Sequence, residues 1–265
     1  MRSTKQLRAV DRVLTDYSLR GKVSPEEWQA RVDLAACYHL CNEFGVIDRI
    51  NTHISMRVPG EPEHYLLNPL GLLFDEITAS SLVKVDLQGN KVGDGPYDAN
   101  PAGIFIHGSI LAARSDLNCV LHHHTNAGIA VGAMEDGLLP ISQHAILFYN
   151  RIGYMDYPGI GLDEEERRGM ARALGNHSIL FLRNHGMLVC GRTVGEAFVT
   201  MDDIEKACQT QLAVLATGRP LRLPPPEVCE DTAHKYANTG RFGGGEAEWR
   251  SMVRILDRKG VAYAQ

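Results

Sequence analysis

Two histidines near the middle of the chain stand two residues apart, a spacing that could bind a metal ion. The segment Asn118 to His124 is mostly apolar and is typical of a β-strand that ends in three consecutive histidines. Alternate side chains of a strand share a face, so His122 and His124 project together while His123 points to the opposite side. Two neutral imidazoles on one face can chelate zinc or another late first-row divalent ion, but two ligands do not close a site. An ordinary polar strand end explains the same residues.

A third histidine stands where it could complete such a site. Two apolar runs, Ser178 to Leu182 and Met187 to Cys190, are separated by a four-residue turn around His185, a pattern typical of a hairpin. His185 would then be held rigidly at the edge of a sheet, and a solvated hairpin tip is the alternative interpretation. Three histidines with an open fourth position are typical of a catalytic zinc. We predict one divalent ion per chain at His122, His124 and His185, with Zn²⁺ first and Mn²⁺ or Co²⁺ as alternatives.

The helices and strands that must position these histidines follow from the spacing of apolar residues. The segment SPEE at 24–27 predicts a helix start, with a capping serine, a proline suited to the first turn and a glutamate that can complete a capping box. Short strand-like runs broken by proline and glycine fill residues 51–86, and a helix is predicted at 102–113. After the hairpin, Thr193 caps a long amphipathic helix.

The same patterns set the domain organisation. No repeat or internal linker divides the chain before residue 218, which favours one mixed α/β domain at 24–218. An N-terminal arm at 1–23 precedes this domain. A C-terminal extension at 219–265, rich in proline where it begins, is expected to pack on the domain or on a neighbouring subunit.

Composition excludes several classes of protein. The chain has 265 residues, of which 44% are hydrophobic and 22% charged, as in an ordinary globular protein. Its net charge of -5 argues against binding to nucleic acid or to acidic membranes. No stretch approaches the roughly 18 apolar residues of a membrane span, and the N-terminal segment lacks the apolar core of a signal peptide. With six cysteines and no CxxC pair, we expect a cytoplasmic protein with reduced thiols.

The histidine motifs resemble those of the class II aldolase/adducin family. The resemblance lies in VLHHHTNAG at 120–128, FLRNHGMLV at 181–189 and the helix GRTVGEAFVTMDDIEKACQTQL at 191–212. It covers roughly residues 28 to 218 and keeps the order and approximate spacing of both histidine motifs. The segments NPAGIFIHGSILAARSD and GLLPISQHAILFYNRIGY look closest to the adducin-like branch.

This resemblance implies a fold and a set of ligands. The family has a three-layer α/β/α fold around a central, largely antiparallel sheet, and it forms homotetramers with active sites between subunits. Residue by residue, His122, His124 and His185 match the family's three metal-binding histidines. The family includes fuculose- and ribulose-phosphate lyases and epimerases.

Three segments depart from the phospho-sugar aldolases of the family. Those enzymes carry a glutamate that serves as base at the position that holds Gly103 here. The small hydroxyl residues that hold phosphate correspond to Pro101 and Ala102, and proline has no N–H to offer an anion. The early phosphate turn corresponds to Asn51-Thr52-His53 and lacks the glycine that lets backbone amides approach an oxyanion. We therefore expect a small carboxylate substrate without a phosphate.

The lost carboxylate also limits the reaction. A divalent ion chelated by adjacent substrate oxygens stabilises an enolate formed by carbon–carbon cleavage, decarboxylation or deprotonation, and only deprotonation strictly needs a base at carbon. The sequence thus favours a metal-dependent lyase, either a decarboxylase or a retro-aldolase, that acts on a hydroxy or keto acid, aromatic acids included. The alternatives are a non-catalytic adducin-like assembly module and a metal-dependent epimerase or dehydratase.

Few residues are candidates for moving the proton. His144 aligns near the region where relatives place a tyrosine that protonates the product from a neighbouring subunit, and imidazole can do this near neutral pH. Tyr149 is a second candidate. His53 and Asn68 lie in predicted turns that line the pocket in relatives, so we expect them to contact substrate. His107, on an apolar helix face, is interpreted as a buried histidine whose nitrogens are satisfied internally.

Overall fold

The computed structural model describes Leu14 and residues 16–159, 164–239 and 245–265. Seven strands form one sheet in the order β3-β2-β1-β4-β7-β6-β5. The strands are β1 (His53–Val58), β2 (Glu61–Leu67), β3 (Val83–Asp86), β4 (Cys119–His123), β5 (Ile152–Met155), β6 (Ile179–Leu182) and β7 (Gly186–Gly191). Only the β5–β6 pair is parallel in this part of the chain, so the predicted largely antiparallel sheet is confirmed.

Helices cover both faces of the sheet. They are α1 (Pro25–Glu43), α2 (Pro101–Ala113), α3 (Asn126–Gly132), α4 (Gln143–Ile146), α5 (Glu164–Leu174), α6 (Val194–Leu215), α7 (Pro226–Thr239) and α8 (Glu246–Lys259). Helices α2 and α5 contact each other over one face, whereas α1 and α3 contact α6 over the other and α8 packs outside α1 and α6. This arrangement is the predicted three-layer α/β/α fold.

The register of the central strands places the chemistry on one face. His122 in β4 stands opposite His53 of β1 and opposite Leu188 of β7. Residues directly opposite each other in antiparallel strands point to the same side of the sheet, so His53 and His122 share a face. Ser55 lies on that face too, because side chains in a strand alternate. Helix α2 covers this face, since its His107 side chain bonds to both His53 and Ser55.

The start of α1 differs from the sequence prediction in one respect. The Ser24 hydroxyl accepts a hydrogen bond from the backbone N–H of Glu27, as a capping serine should. The Glu27 side chain, however, does not complete a capping box. Its carboxylate bonds instead to Arg31 at 2.8 Å and to Lys84 of β3 at 3.0 Å. Glu27 and Arg31 are buried, and this ion pair joins α1 to the sheet because Lys84 belongs to a strand.

The C-terminal segment packs on the domain itself. Trp249 of α8 is buried against Phe198 of α6, with ring centroids 5.8 Å apart. A side chain at Gly195 would place its Cβ 2.8 Å from the Trp249 ring, so glycine allows this close approach. The last residues return to the domain through a backbone hydrogen bond from Ala79 N–H to the Tyr263 carbonyl. Most of the predicted N-terminal arm lies outside the described residues.

Two further sequence predictions concern thiols and membranes. All six cysteines are free and buried. Burial raises the pKa of the Cys190 thiol to about 12, which keeps it protonated and inert. Within the ranges that the structure describes, no helix is both long and apolar enough to cross a bilayer.

The buried ion pair of α1 predicts a large loss of stability. Arg31 bonds to Glu27 and also donates to the backbone carbonyl oxygens of Ala79 and Leu82. Removal of the guanidinium in Arg31→Ala leaves these buried acceptors with fewer donors, so we expect a loss of about 3 kcal/mol in the free energy of unfolding. Urea denaturation followed by circular dichroism measures it.

The matched control is an exposed ion pair of the same spacing. Arg250 pairs with Glu246 four residues earlier on α8, and 73% of the Arg250 side chain is exposed. Arg250→Ala should cost less than about 1 kcal/mol, because solvent screens such pairs. Equal losses in the two variants would show that the buried contacts of Arg31 stabilise the fold no more than an exposed pair does.

Candidate functional site

Three histidines from separate parts of the sheet meet at one end of its central strands. His122 lies in β4, His124 follows directly after it, and His185 lies in the turn between β6 and β7. One potential ligand atom from each lies within 4.8 Å of the other two. The ring centroids are 4.6 to 4.9 Å apart. The structure thus brings together the three residues that the sequence predicted as metal ligands.

The β6–β7 turn holds His185 close to the other two rings. Asn184 adopts the left-handed conformation, with φ at 61°, and the His185 N–H donates to the Leu182 carbonyl at 3.0 Å. The next residue is Gly186, where a Cβ would lie 2.8 Å from the His124 ring and would also meet the backbone of β4. A glycine is required there because the hairpin approaches the end of β4 too closely for a side chain.

Hydrogen bonds fix which ring nitrogens of two histidines carry protons. Nδ1 of His122 bonds to the Met187 carbonyl oxygen at 3.0 Å, and Nδ1 of His124 bonds to the Asp48 carboxylate at 3.1 Å. Both partners are acceptors, so both Nδ1 atoms donate. The Asp48 carboxylate stays ionised, since the hydrogen bond from His124 holds its pKa below the usual range.

The proton assignment leaves two lone pairs facing each other. The Nε2 atoms of His122 and His124 are 2.8 Å apart, and in neutral rings with protonated Nδ1 neither Nε2 has a hydrogen. Burial and the neighbouring imidazoles hold the pKa of His122 well below its usual value, so a proton is a poor bridge. Burial also lowers the pKa of His185 to about 4. Three imidazoles whose ligand atoms converge in this way could hold a cation.

The spacing of the ligand atoms suits a tetrahedral ion. Two nitrogens on one zinc at about 2.0–2.1 Å stand roughly 3.3 Å apart. The three histidines meet this spacing with small side-chain shifts, because their ligand atoms already lie within 4.8 Å. Asp48 supplies the carboxylate that commonly orients a metal-binding histidine from behind.

A cavity of about 280 Å³ opens beside the three histidines. Much of its wall is apolar: Ala102, Ile106, Met155, Pro158, Met170 and Leu182. Arg183 also lines it, but its guanidinium donates to the carbonyl oxygens of Gly132, Met134 and Glu135. The charge of Arg183 is therefore anchored in the wall.

The N-terminus of α2 offers few donors to an anion in this cavity. Pro101 has no N–H, and the N–H of Ala102 donates to the side-chain oxygen of Asn100 at 3.0 Å. Pro101 and Ala102 are among the positions where the sequence analysis predicts that the phosphate-holding residues have been replaced. A phosphate would have to displace the capping side chain of Asn100 to reach the Ala102 amide.

His53 also lines the cavity, at a different place in the fold from that predicted. It is the first residue of β1 rather than part of a turn, because β1 pairs with β4 up to His122. The two rings lie 5.0 Å apart. A Cβ at Gly103 would lie 3.2 Å from the His53 ring and 2.9 Å from Leu67, so His53 and Leu67 fill the space that a side chain at position 103 would need.

Behind His53 lies a buried chain of polar groups. Nδ1 of His53 bonds to Nε2 of His107 at 2.7 Å, and Nδ1 of His107 bonds to the Ser55 hydroxyl at 2.6 Å. All three residues are buried, and burial holds the pKa of both histidines well below its usual value. His107 is thus buried and satisfied, as the sequence predicted, but its partner is a residue of the site.

The remaining candidates lie elsewhere in the single chain. Asn68 is buried and its side-chain oxygen accepts from the Tyr38 hydroxyl at 3.0 Å, so it does not line the cavity. His144 lies on α4, with Nε2 3.7 Å from the Asp203 carboxylate of α6. Tyr149 follows α4 and does not line the cavity either. To act in catalysis, His144 or Tyr149 would have to reach the cavity from another copy of the chain. Their catalytic role stays a prediction.

Sequence reasoning missed Asp48, Ser55 and the partnership of His107 with His53. Ser55 had a signal, because it stands two residues after His53 in a run with strand character and so shares its face. Asp48 had none, since it lies in an irregular segment before β1.

Comparison with known proteins places these features in a family. The family model described as Class II Aldolase and Adducin N-terminal domain matches residues 32–212. A protein of Caulobacter vibrioides with a provisional class 2 aldolase name is 46% identical over 96% of this chain and 99% of its own length. The crystal structure of an aldolase II superfamily protein from Pseudomonas syringae is 46% identical, with a TM-score of 0.89 over 93% of this chain and 99% of that one.

The adducins are also relatives. Alpha-adducin of Rattus norvegicus is 42% identical over 87% of this chain, which spans 33% of that longer protein. The matched region contains both histidine motifs and the sheet that carries them. The chain belongs to the class II aldolase/adducin family.

Proposed function

We propose that this protein is a divalent-metal-dependent carbon–carbon lyase that acts on a small hydroxy or keto acid without a phosphate group. The observation that carries the proposal is the convergence of three histidines, with Nε2 of His122 and Nε2 of His124 2.8 Å apart and a ligand atom of each ring within 4.8 Å of the others. Three imidazole nitrogens favour Zn²⁺, with Mn²⁺ and Co²⁺ as alternatives. Family membership supports lyase-type chemistry.

The substrate class follows from the wall of the cavity. A phosphate would find Arg183 committed to three carbonyl oxygens and the Ala102 amide committed to Asn100. Apolar side chains next to the metal site suit the hydrocarbon part of an organic acid, aromatic acids included. The carboxylate and its neighbouring oxygen would bind at the metal ion.

The chain's own residues then have distinct tasks. His122, His124 and His185 would hold the ion, which when bound withdraws electrons from a substrate oxygen and favours decarboxylation or retro-aldol cleavage. The apolar wall orients the substrate and excludes water. We assign protonation of the product to His144 or Tyr149 of a neighbouring copy in a homotetramer. Size-exclusion chromatography with light scattering tests that assembly.

A second candidate is a non-catalytic assembly module. It is favoured by the 42% identity to alpha-adducin and by Gly103, where the related aldolases carry a glutamate. An assembly module does not explain why the ligand atoms of three histidines converge beside a cavity, because an assembly surface does not need a metal site. An epimerase or dehydratase is a weaker alternative, since it needs a base at carbon.

Metal content tests the site itself. Purified protein should hold about one divalent ion per chain by elemental analysis, and His122→Ala should lose it because two imidazoles remain. His64→Ala serves as the control, since His64 pairs with Glu61 on β2, outside the site. Wild-type protein that binds neither zinc nor manganese would overturn the proposal.

The carboxylate behind His124 predicts a graded effect. Asp48→Asn keeps the size of the side chain but removes its charge, so we expect metal affinity to fall by roughly 10–100-fold. Competition with a chromogenic chelator measures this affinity. Asp116→Asn removes an exposed carboxylate that pairs with Arg114 and should leave metal affinity unchanged. An unchanged affinity in Asp48→Asn would mean that the carboxylate does not support the ligand.

A substrate screen tests the reaction. Metal-loaded protein should release carbon dioxide or an aldehyde from one or more small hydroxy or keto acids, and His185→Ala should abolish the release. The corresponding phosphorylated compounds should react more slowly, because the cavity offers few donors to phosphate. A metal-loaded protein that is inactive on the whole panel would favour the assembly module.

A further inference from the structure

The hydrogen-bond chain from Ser55 through His107 to His53 determines where His53 carries its proton. Each of the two bonds, at 2.6 and 2.7 Å, needs one hydrogen between its two heavy atoms. Both rings are buried, which disfavours a positive charge on either, and a neutral imidazole carries one N–H and one lone pair. The position of the proton on Ser55 therefore fixes the proton positions on His107 and on His53.

Two proton arrangements satisfy both bonds. In the first, the Ser55 hydroxyl donates to His107 Nδ1, His107 Nε2 donates to His53 Nδ1, and His53 carries its hydrogen on Nε2. In the second, every bond is reversed, His53 Nε2 has a lone pair and the Ser55 hydroxyl hydrogen needs another acceptor. These arrangements give His53 opposite chemistry, because one makes Nε2 a donor and the other makes it an acceptor.

The surroundings of Ser55 select the first arrangement. Ser55 is fully buried, and in the part of the chain that the structure describes its hydroxyl bonds only to His107. The second arrangement would leave a buried O–H without an acceptor, which costs about 1–3 kcal/mol. In the first arrangement each of the two bonds has its hydrogen, and the one hydrogen that remains is on His53 Nε2.

We infer that His53 presents a neutral Nε2–H donor to an oxygen atom of the substrate, and that His107 and Ser55 are positioning residues that hold it in this state. His53 lines the cavity, and because His107 engages Nδ1, Nε2 is the ring nitrogen left to face it. An N–H cannot bind a metal ion or accept a proton, so His53 is neither a fourth ligand nor a replacement for the missing carboxylate base.

This inference rests on the proposed function for the nature of the ligand and deepens it. A neutral imidazole N–H close to a metal site can donate to a carboxylate oxygen or to an oxygen on which negative charge develops. It adds a donor without adding a positive charge next to the metal ion. The ligand class that fits is an organic acid whose carboxylate and adjacent oxygen bind at the ion, with one of these oxygens also accepting a hydrogen bond from His53.

Nuclear magnetic resonance of protein labelled with ¹⁵N-histidine tests the proton position directly, without substrate. His53 should show a protonated Nε2 and an unprotonated Nδ1. Replacement of its donor in His107→Leu should convert His53 to a mixture of tautomers, whereas His107→Gln, whose amide N–H can reach Nδ1, should restore the single tautomer. A wild-type His53 protonated on Nδ1 would overturn the inference even if both variants fail to fold.

Oxalate tests the donor with a ligand that has adjacent carboxylate oxygens. Its affinity for zinc-loaded protein, measured by calorimetry, should fall roughly 10–100-fold in His53→Phe, because a hydrogen bond to a charged group is lost. His53→Gln keeps an N–H donor and should bind within a few-fold of wild type. His64→Gln, outside the site, should match wild type.

The two experiments separate the inference from the proposed function. Unchanged oxalate affinity in His53→Phe, with zinc content at the wild-type level, contradicts the donor role and leaves the lyase proposal standing. A protein that binds no zinc overturns the lyase proposal, and the tautomer of His53 then still decides the inference. Loss of zinc in His53→Phe would mean that His53 supports the metal site rather than the substrate, which also contradicts the inference.

Discussion

The site depends on two imidazole nitrogens that the protein holds 2.8 Å apart. The Met187 carbonyl and the Asp48 carboxylate each accept an N–H from the far side of a ring, so Nε2 of His122 and Nε2 of His124 are turned towards each other. A divalent ion held by these nitrogens would bind the folded arrangement alone, which links metal binding to stability.

The antiparallel sheet makes this arrangement possible. Pairing of β4 with β1 and β7 sets His122 beside His53, and the close β6–β7 turn brings His185 to the same end. His124 and His185 stand just outside the strands, and the end of β4 and the short β6–β7 turn hold them beside His122. The helices act more indirectly: α2 contributes His107 behind His53, and the ion pair of Glu27 with Lys84 of β3 joins α1 to the sheet.

Much of this could be predicted from the sequence, for identifiable reasons. Side-chain alternation in a strand separates His122 and His124 from His123, and the short turn between two apolar runs identifies His185. Local patterns do not reveal which strands pair, so the contact of His53 with His122 and its bond to His107 depend on long-range structure. The same limit explains the wrong prediction for Glu27. Its local sequence favours a capping box, but its carboxylate pairs with Lys84, which is distant in the sequence.

The residues at positions 53 and 103 are close neighbours, and this contact bears on the chemistry. A Cβ at position 103 would lie 3.2 Å from the His53 ring and 2.9 Å from the end of the Leu67 side chain. A larger residue at position 103 would therefore require both side chains to shift. The chain has the imidazole, and a buried serine holds its proton on the nitrogen that faces the cavity. A site with Gly103 and a neutral donor at His53 is suited to stabilise a substrate oxygen rather than to remove a proton from carbon.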